Sequence, residues 1–158
     1  MKHSIGSTAM NKIESIYPAA CTKVIVVSGY FDPLHVGHLE MLELAKELGD
    51  ELVVIVNSDK QAALKKGKSF MHEDDRLKII KAIRCVDQAL LSIDKDETVC
   101  KSLKRVRKFF PEEQLIFANG GDRTNSNIPE AAIMKKCNIK LIDGLGDKIR
   151  SSSDLTGI

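Results

Sequence analysis

Two histidines, His35 and His38, stand three residues apart in the stretch Ser28-Gly29-Tyr30-Phe31-Asp32-Pro33-Leu34-His35-Val36-Gly37-His38, directly after the apolar run Val24–Val27. The whole chain holds only four histidines, so two in one turn need a reason. An imidazole donates hydrogen bonds to phosphate oxygens and can carry positive charge near neutral pH. At a spacing of three, both rings fall on one face of the first turn of a helix that the pattern opens near Val36. The free backbone N–H groups of that helix start form a ready anion site. Gly29 has no side chain and lets the backbone approach a ligand, and Pro33 fixes the turn. Together these parts make a cradle for a polyphosphate. A His-x-x-His pair is also half of a metal site, but no matching cysteine or carboxylate cluster accompanies it. A single histidine in a helix is ordinarily structural, so the reading rests on the combination.

The elements that must position this turn follow from the hydrophobic pattern. Lys23–Ser28 is a continuous β-branched run, as expected of a strand buried on both faces. Val36–Leu48 carries a helical stripe at Leu39, Leu42, Ala45 and Leu48, and Gly49 ends it as a helix C-terminal glycine. Glu51–Asn57 predicts a second buried strand. Glu73–Arg84 predicts a helix with Glu73, Asp74 and Asp75 in its first turn, where the helix dipole favours acids. Val86–Leu91 predicts a third strand. Asp94 and Glu97 read as a capping box for a helix with Val99, Leu103, Val106 and Phe110 on one face. Leu115–Ala118 and Lys140–Ile142 predict strands on either side of a helix from Pro129 to about Lys136. Strands alternating with helices imply an α/β, Rossmann-like domain: a five-stranded parallel sheet with helices on both faces. Ligands in such sheets bind at the C-terminal strand ends. The histidine turn, Asn57-Ser58, Asn119-Gly120-Gly121-Asp122 and the loop after Ile142 all fall on that edge.

Bulk properties narrow the class. A length of 158 residues suits one domain, read as residues 21–158, with residues 1–20 as a tail or packing segment. A net charge of +2 is too small to imply nucleic-acid binding. No apolar run approaches the length that spans a bilayer. Met1–Gly6 lacks the apolar core of a secretory signal, so the chain reads as cytoplasmic. Cys21, Cys85, Cys100 and Cys137 are scattered singly and read as reduced small hydrophobes rather than a zinc site. No G-x-G-x-x-G follows the first strand, which removes a dehydrogenase. The basic residues Lys101, Lys104, Arg105, Arg107 and Lys108 flank an apolar stripe and read as a solvated helix face.

Gly29 to His38 resembles the G-x-F-D-x-x-H-x-G-H signature of the cytidylyltransferase-like nucleotidyltransferase superfamily. Lys65-Lys66-Gly67-Lys68-Ser69-Phe70 with Arg76 looks like its lysine-rich loop and following arginine. Val86-Asp87 resembles the start of its third strand, Gly120-Gly121-Asp122 its G-G-D loop, and Ser151-Ser152-Ser153 its I-S-S-S segment. The similarity covers about residues 23–155. It implies that a nucleoside triphosphate donates its nucleotidyl group to a small phosphate by direct in-line attack, and pyrophosphate leaves. The protein then mainly positions two anions and neutralises developing charge.

In that frame His35, His38 and Lys65 are the catalytic candidates. Lys65 and Lys68 would bring charge from a mobile loop. Arg76 would form an ion pair or reach a phosphate. Gly29, Tyr30, Phe31, Lys68, Gly120, Asp122, Lys148, Arg150, Ser151, Ser152 and Ser153 are the nucleotide-binding candidates. Magnesium is expected through the triphosphate oxygens, with no metal ligand among the protein side chains. Tyr30 is bulkier than the family's usual residue there and bears on the acceptor pocket. No arginine stands where CTP-using relatives carry R-T-x-G-I, and Lys148 or Arg150 replaces it. The lysine loop looks similar to glycerol-3-phosphate cytidylyltransferase. The Lys-Gly pair and the Gly-Gly-Asp loop look similar to the adenylyltransferase domain that makes ADP-heptose. CTP is slightly favoured over ATP, the acceptor is a small polyol, sugar or alkyl phosphate, and the resemblance implies a homodimer. The other reading is a nucleotide-binding sensor of the same fold without turnover.

Overall fold

The computed structural model describes residues 22–120 and 128–145. Five parallel strands, β1 (Lys23–Gly29), β2 (Glu51–Val56), β3 (Gln88–Leu91), β4 (Gln114–Gly120) and β5 (Ile139–Leu145), form one sheet in the order β3-β2-β1-β4-β5. Helices α1 (Val36–Glu47), α2 (Asp59–Lys66), α3 (Glu73–Ala82), α4 (Cys100–Phe109) and α5 (Ala131–Lys136) connect them.

Alternation along the strands builds two cores. Val24 and Val26 of β1 join Leu103, Val106 and Met134 of α4 and α5 on one face. Ile25 and Val27 join Leu42, Ala45 and Ile80 of α1 and α3 on the other. Burial on both faces is why these strands read as unbroken apolar runs. The chain runs outward through β1, β2 and β3, then crosses back to place β4 beside β1. That reversal is a topological switch point, and it lies beside the histidine turn.

Three local expectations change. Helix α2, which the sequence reading did not expect, takes in Lys65 and Lys66, the first two residues of the expected lysine loop. Ser58 and Gln61 cap it reciprocally, Ser58 Oγ accepting from the Gln61 amide and Gln61 Oε1 from the Ser58 amide, and Gly67 closes it at φ 88°. The Asp94–Glu97 capping box does not form, because α4 starts only at Cys100. Asp94 instead accepts from the Lys101 and Ser102 amides at 2.7 and 2.9 Å, so it caps the same helix from farther upstream. Gly49 does follow α1, but close packing requires it there: a Cβ would lie 2.8 Å from Ile25 Cγ1 and from the Lys23 carbonyl.

Cys85, Cys100 and Cys137 are free thiols. Burial pushes the Cys85 and Cys100 pKa values up, which makes them poor nucleophiles. No described helix is long and apolar enough to cross a membrane. On α4, Lys101, Lys104, Arg105 and Lys108 are exposed, whereas half-buried Arg107 donates to the Phe110 and Glu113 carbonyls.

Candidate active site

The turn after β1 is built from contacts that begin at Phe31. Its backbone lies at φ 54°, in the left-handed region that costs a bulky residue free energy. Its ring is buried and folds back on Gly29. A Cβ at Gly29 would sit 3.0 Å from Phe31 Cζ. Gly29 was expected to admit a ligand; in the structure the space it leaves is filled by Phe31. The same ring meets His38 edge-on with centroids 5.0 Å apart.

The two histidines cap the helix that carries them. His35 is the N-cap of α1, and its Nδ1 accepts from the Gly37 amide at 3.1 Å. His38 reaches back, and its Nδ1 accepts from the His35 amide at 3.2 Å. The rings stack at 3.9 Å. With each Nδ1 used as an acceptor, the proton of each neutral ring sits on Nε2. Burial, then the neighbouring His35, then Lys66 lower the His38 pKa from 6.5 to about 4. His38 is therefore neutral at pH 7, an Nε2–H donor and not the cation its type allowed.

Asp32 ties a second segment beneath this turn. Its fully buried carboxylate accepts from the Phe70 amide at 2.9 Å and the Met71 amide at 2.6 Å. Lys66 Nζ pairs with it at 3.2 Å and donates to its carbonyl at 2.7 Å. Lys66 is thus committed to the scaffold. Lys65, in the last turn of α2 and not in a loop, places Nζ 4.9 Å from the Tyr30 ring centroid. Lys68 lies past α2, with Nζ 5.5 Å from the Phe70 ring centroid. A cation resting on an aromatic face is held weakly enough to be recruited by a phosphate.

Arg76 is a scaffold residue, 1% exposed. It donates to the carbonyls of Tyr30 and Asn57 at 2.7 Å, to that of Met71 at 2.9 Å, and to Asp59 Oδ1 at 2.7 Å. It joins the histidine turn, the end of β2, the start of α2 and the loop before α3, so the ion-pair alternative holds for it. Burial alone would raise the Asp59 pKa, but the Arg76 hydrogen bond and the others it accepts hold it below its ordinary value.

The structure therefore brings His35, His38, Gly29, Tyr30, Phe31 and Lys65 together at the C-terminal end of β1. Gly120 ends β4 on the same sheet edge. Asp122, Lys148, Arg150, Ser151, Ser152 and Ser153 lie outside the described residues. Sequence reasoning missed Asp32 and Lys66 as a pair. The only signal was a carboxylate inside the turn and three lysines within four positions.

The donors at this site are imidazole Nε2–H and ammonium groups, a set suited to phosphate oxygens. The helix-start amides that the sequence offered as a free anion site are instead bonded within the turn, those of His35 and Gly37 to the two Nδ1 atoms and those of His38 and Leu39 to the His35 carbonyl. Among the described residues no three His, Cys, Asp or Glu side chains gather as a metal site. A divalent ion here fits as part of a metal–triphosphate substrate.

Residues 26–154 match the family described as cytidylyltransferase-like. The chain is 39% identical over 118 residues to a FAD synthase of Thermococcus sibiricus, covering 73% of this chain and 74% of that one. It is 40% identical over 100 residues to a FAD synthase of Pyrococcus abyssi, covering 63% of each. It is 37% identical over 117 residues to the bifunctional protein HldE of Streptomyces coelicolor, covering 72% of this chain but 23% of that one. The chain thus spans less than two thirds of some of these relatives. A lipopolysaccharide core biosynthesis protein from Thermoplasma volcanium superposes with a TM-score of 0.58 at 28% identity, over 77% of this chain and 95% of that one.

Proposed function

The chain belongs to the cytidylyltransferase-like family, and from that premise we propose that it is a nucleotidyltransferase that moves AMP from ATP to the phosphate of a small molecule. An oxygen of the acceptor phosphate attacks the α-phosphorus in line. The bond from that phosphorus to its bridging oxygen breaks, and pyrophosphate leaves with the electron pair. The acceptor oxygen is already anionic, so no strong base is needed.

The observation that carries this reading is the paired cap. Each Nδ1 accepts a backbone amide, which leaves the proton of a neutral ring on Nε2, and these Nε2–H groups lie at the start of a helix. In this reading they stabilise charge on the α-phosphate oxygens as the bond breaks, with little reorganisation. Lys65 and Lys68 swing from their aromatic rests to the outer phosphates. Gly120, Asp122, Lys148, Arg150 and Ser151–Ser153 complete the nucleotide site. Magnesium accompanies the triphosphate and supplies charge neutralisation when bound.

The relatives named FAD synthase favour ATP over the CTP that the lysine loop suggested, because FAD contains an adenylyl group. They make FMN the first acceptor to try, with sugar and polyol phosphates next. Family membership also supports a cytoplasmic homodimer. The test is pyrophosphate release with magnesium and ATP or CTP against FMN, sugar phosphates and glycerol 3-phosphate. Release with ATP and one phosphate ester is expected. Release only with CTP would overturn the choice of nucleotide. Nucleotide binding without release for any ester would point to a sensor.

A further inference from the structure

Asn119 has no role in that reading, yet it sits at the switch point. It is 7% exposed, and its Nδ2 is buried without a hydrogen-bond partner among the described residues. Buried side-chain donors are almost always bonded, because an unmade bond forfeits hydration with no return. The other asparagine at this edge, Asn57, shows the ordinary outcome: its Nδ2 donates to Gln61 Oε1 at 3.1 Å.

The strand register explains why this position is different. The β1–β2 ladder continues to Gly29 opposite Val56, but the β1–β4 ladder ends at Val26 opposite Phe117. On the other side, the β4–β5 register shifts between Ala118 and Gly120. Asn119 therefore lies where β4 has left the β1 ladder and is irregular against β5. Such a parting at the C-terminal strand ends is where open α/β sheets take their ligands.

We propose that Asn119 is a specificity-determining residue that reads the adenine base, its Nδ2 donating to N7 and its Oδ1 accepting from the exocyclic amine. This rests on the nucleotidyltransferase reading. Among the described residues the phosphate donors cluster on the β1 side, at α1 and the Lys65–Lys68 segment, which favours the β4 side for the nucleoside. A neutral amide matches an uncharged base edge better than a phosphate, and one asparagine side chain spans the adenine donor–acceptor pair.

The test is calorimetric binding of magnesium-ATP and magnesium-triphosphate to the full chain and to Asn119→Leu and Asn119→Asp. Both variants are expected to lose about tenfold or more in ATP affinity and to keep triphosphate affinity. Wild-type protein needs no substitution for the second arm: 7-deaza-ATP, which lacks the N7 acceptor, is expected to bind about tenfold more weakly than ATP. Equal binding of ATP and 7-deaza-ATP would overturn the inference and leave the proposed reaction standing. So would equal losses of ATP and triphosphate in the variants. A wild-type chain that binds triphosphate but no nucleoside triphosphate more tightly would remove the reading on which the inference rests.

Discussion

His38 Nδ1 accepts the backbone amide of His35 at 3.2 Å while the two imidazoles stack 3.9 Å apart. One relationship thereby fixes the helix start, the tautomer of His38 and the direction of its remaining donor. It also predicts that structural and chemical roles can be separated.

His38→Ala removes both the cap and the donor. Turnover is expected to fall by about 10²–10³, and stability by about 1 kcal/mol. His38→Asn keeps a side-chain acceptor for the His35 amide but loses the Nε2–H. It should regain most of the stability and little of the turnover. Urea denaturation beside pyrophosphate-release rates checks this; equal rescue of both would assign His38 to the fold alone.

The folded pKa of His38, about 4, lies below its ordinary value of 6.5. Between those values the unfolded chain binds a proton that the folded chain refuses. This contribution to stability is full above about pH 6.5 and falls as the pH drops toward 4. Denaturation midpoints from pH 7.5 to 4.5 should decline less steeply for His38→Asn than for the parent chain. Parallel profiles would contradict the low pKa.

Arg76 is expected to be a stability residue before it is an activity residue. Arg76→Met leaves the Tyr30, Asn57 and Met71 carbonyls without their donor and Asp59 without its cation. A loss of about 3 kcal/mol or more is expected in chemical denaturation. A variant as stable as the parent but unable to bind triphosphate would show that Arg76 reaches substrate.

Lys65 and Lys66 are neighbours in sequence with opposite expected phenotypes. Lys65 rests on Tyr30, so Lys65→Ala should lower turnover with stability changed by less than about 0.5 kcal/mol. Lys66 neutralises buried Asp32, so Lys66→Ala should cost about 3 kcal/mol. Thermal melts and initial rates on both variants separate the two; identical phenotypes would undo the assignment.

Much of the fold was legible because it is written in short-range pattern. The Val24–Val27 and Leu52–Val56 runs announce strands wherever they pack, and the Leu42–Ala45 stripe announces α1. Helix α2 was missed although its signal was present: Ser58 and Gln61 stand at capping-box spacing. The run that follows is short and mostly polar, so no apolar stripe marked it. The Asp94–Glu97 spacing gave the opposite error, because a capping pattern does not say which turn it will cap.

What the sequence determined by itself is the order of elements and the identity of the turn that carries His35 and His38. Adjacent residues there announce strand, turn and helix in short-range pattern, before any distant contact is known. The partner of each polar group, by contrast, is set by the packed fold. Asp32 meets Phe70 and Met71, Arg76 meets Tyr30, Lys66 is spent on Asp32 while Lys65 is not, and Asn119 is left open. The contacts of Asp32 with Lys66, Phe70 and Met71 and of Arg76 with Tyr30 join residues 34 to 46 positions apart. Periodicity reports which face a residue takes and carries no information about what meets it there. Burial, which sets the His38 pKa and the demand for partners, exists only once the layers have packed.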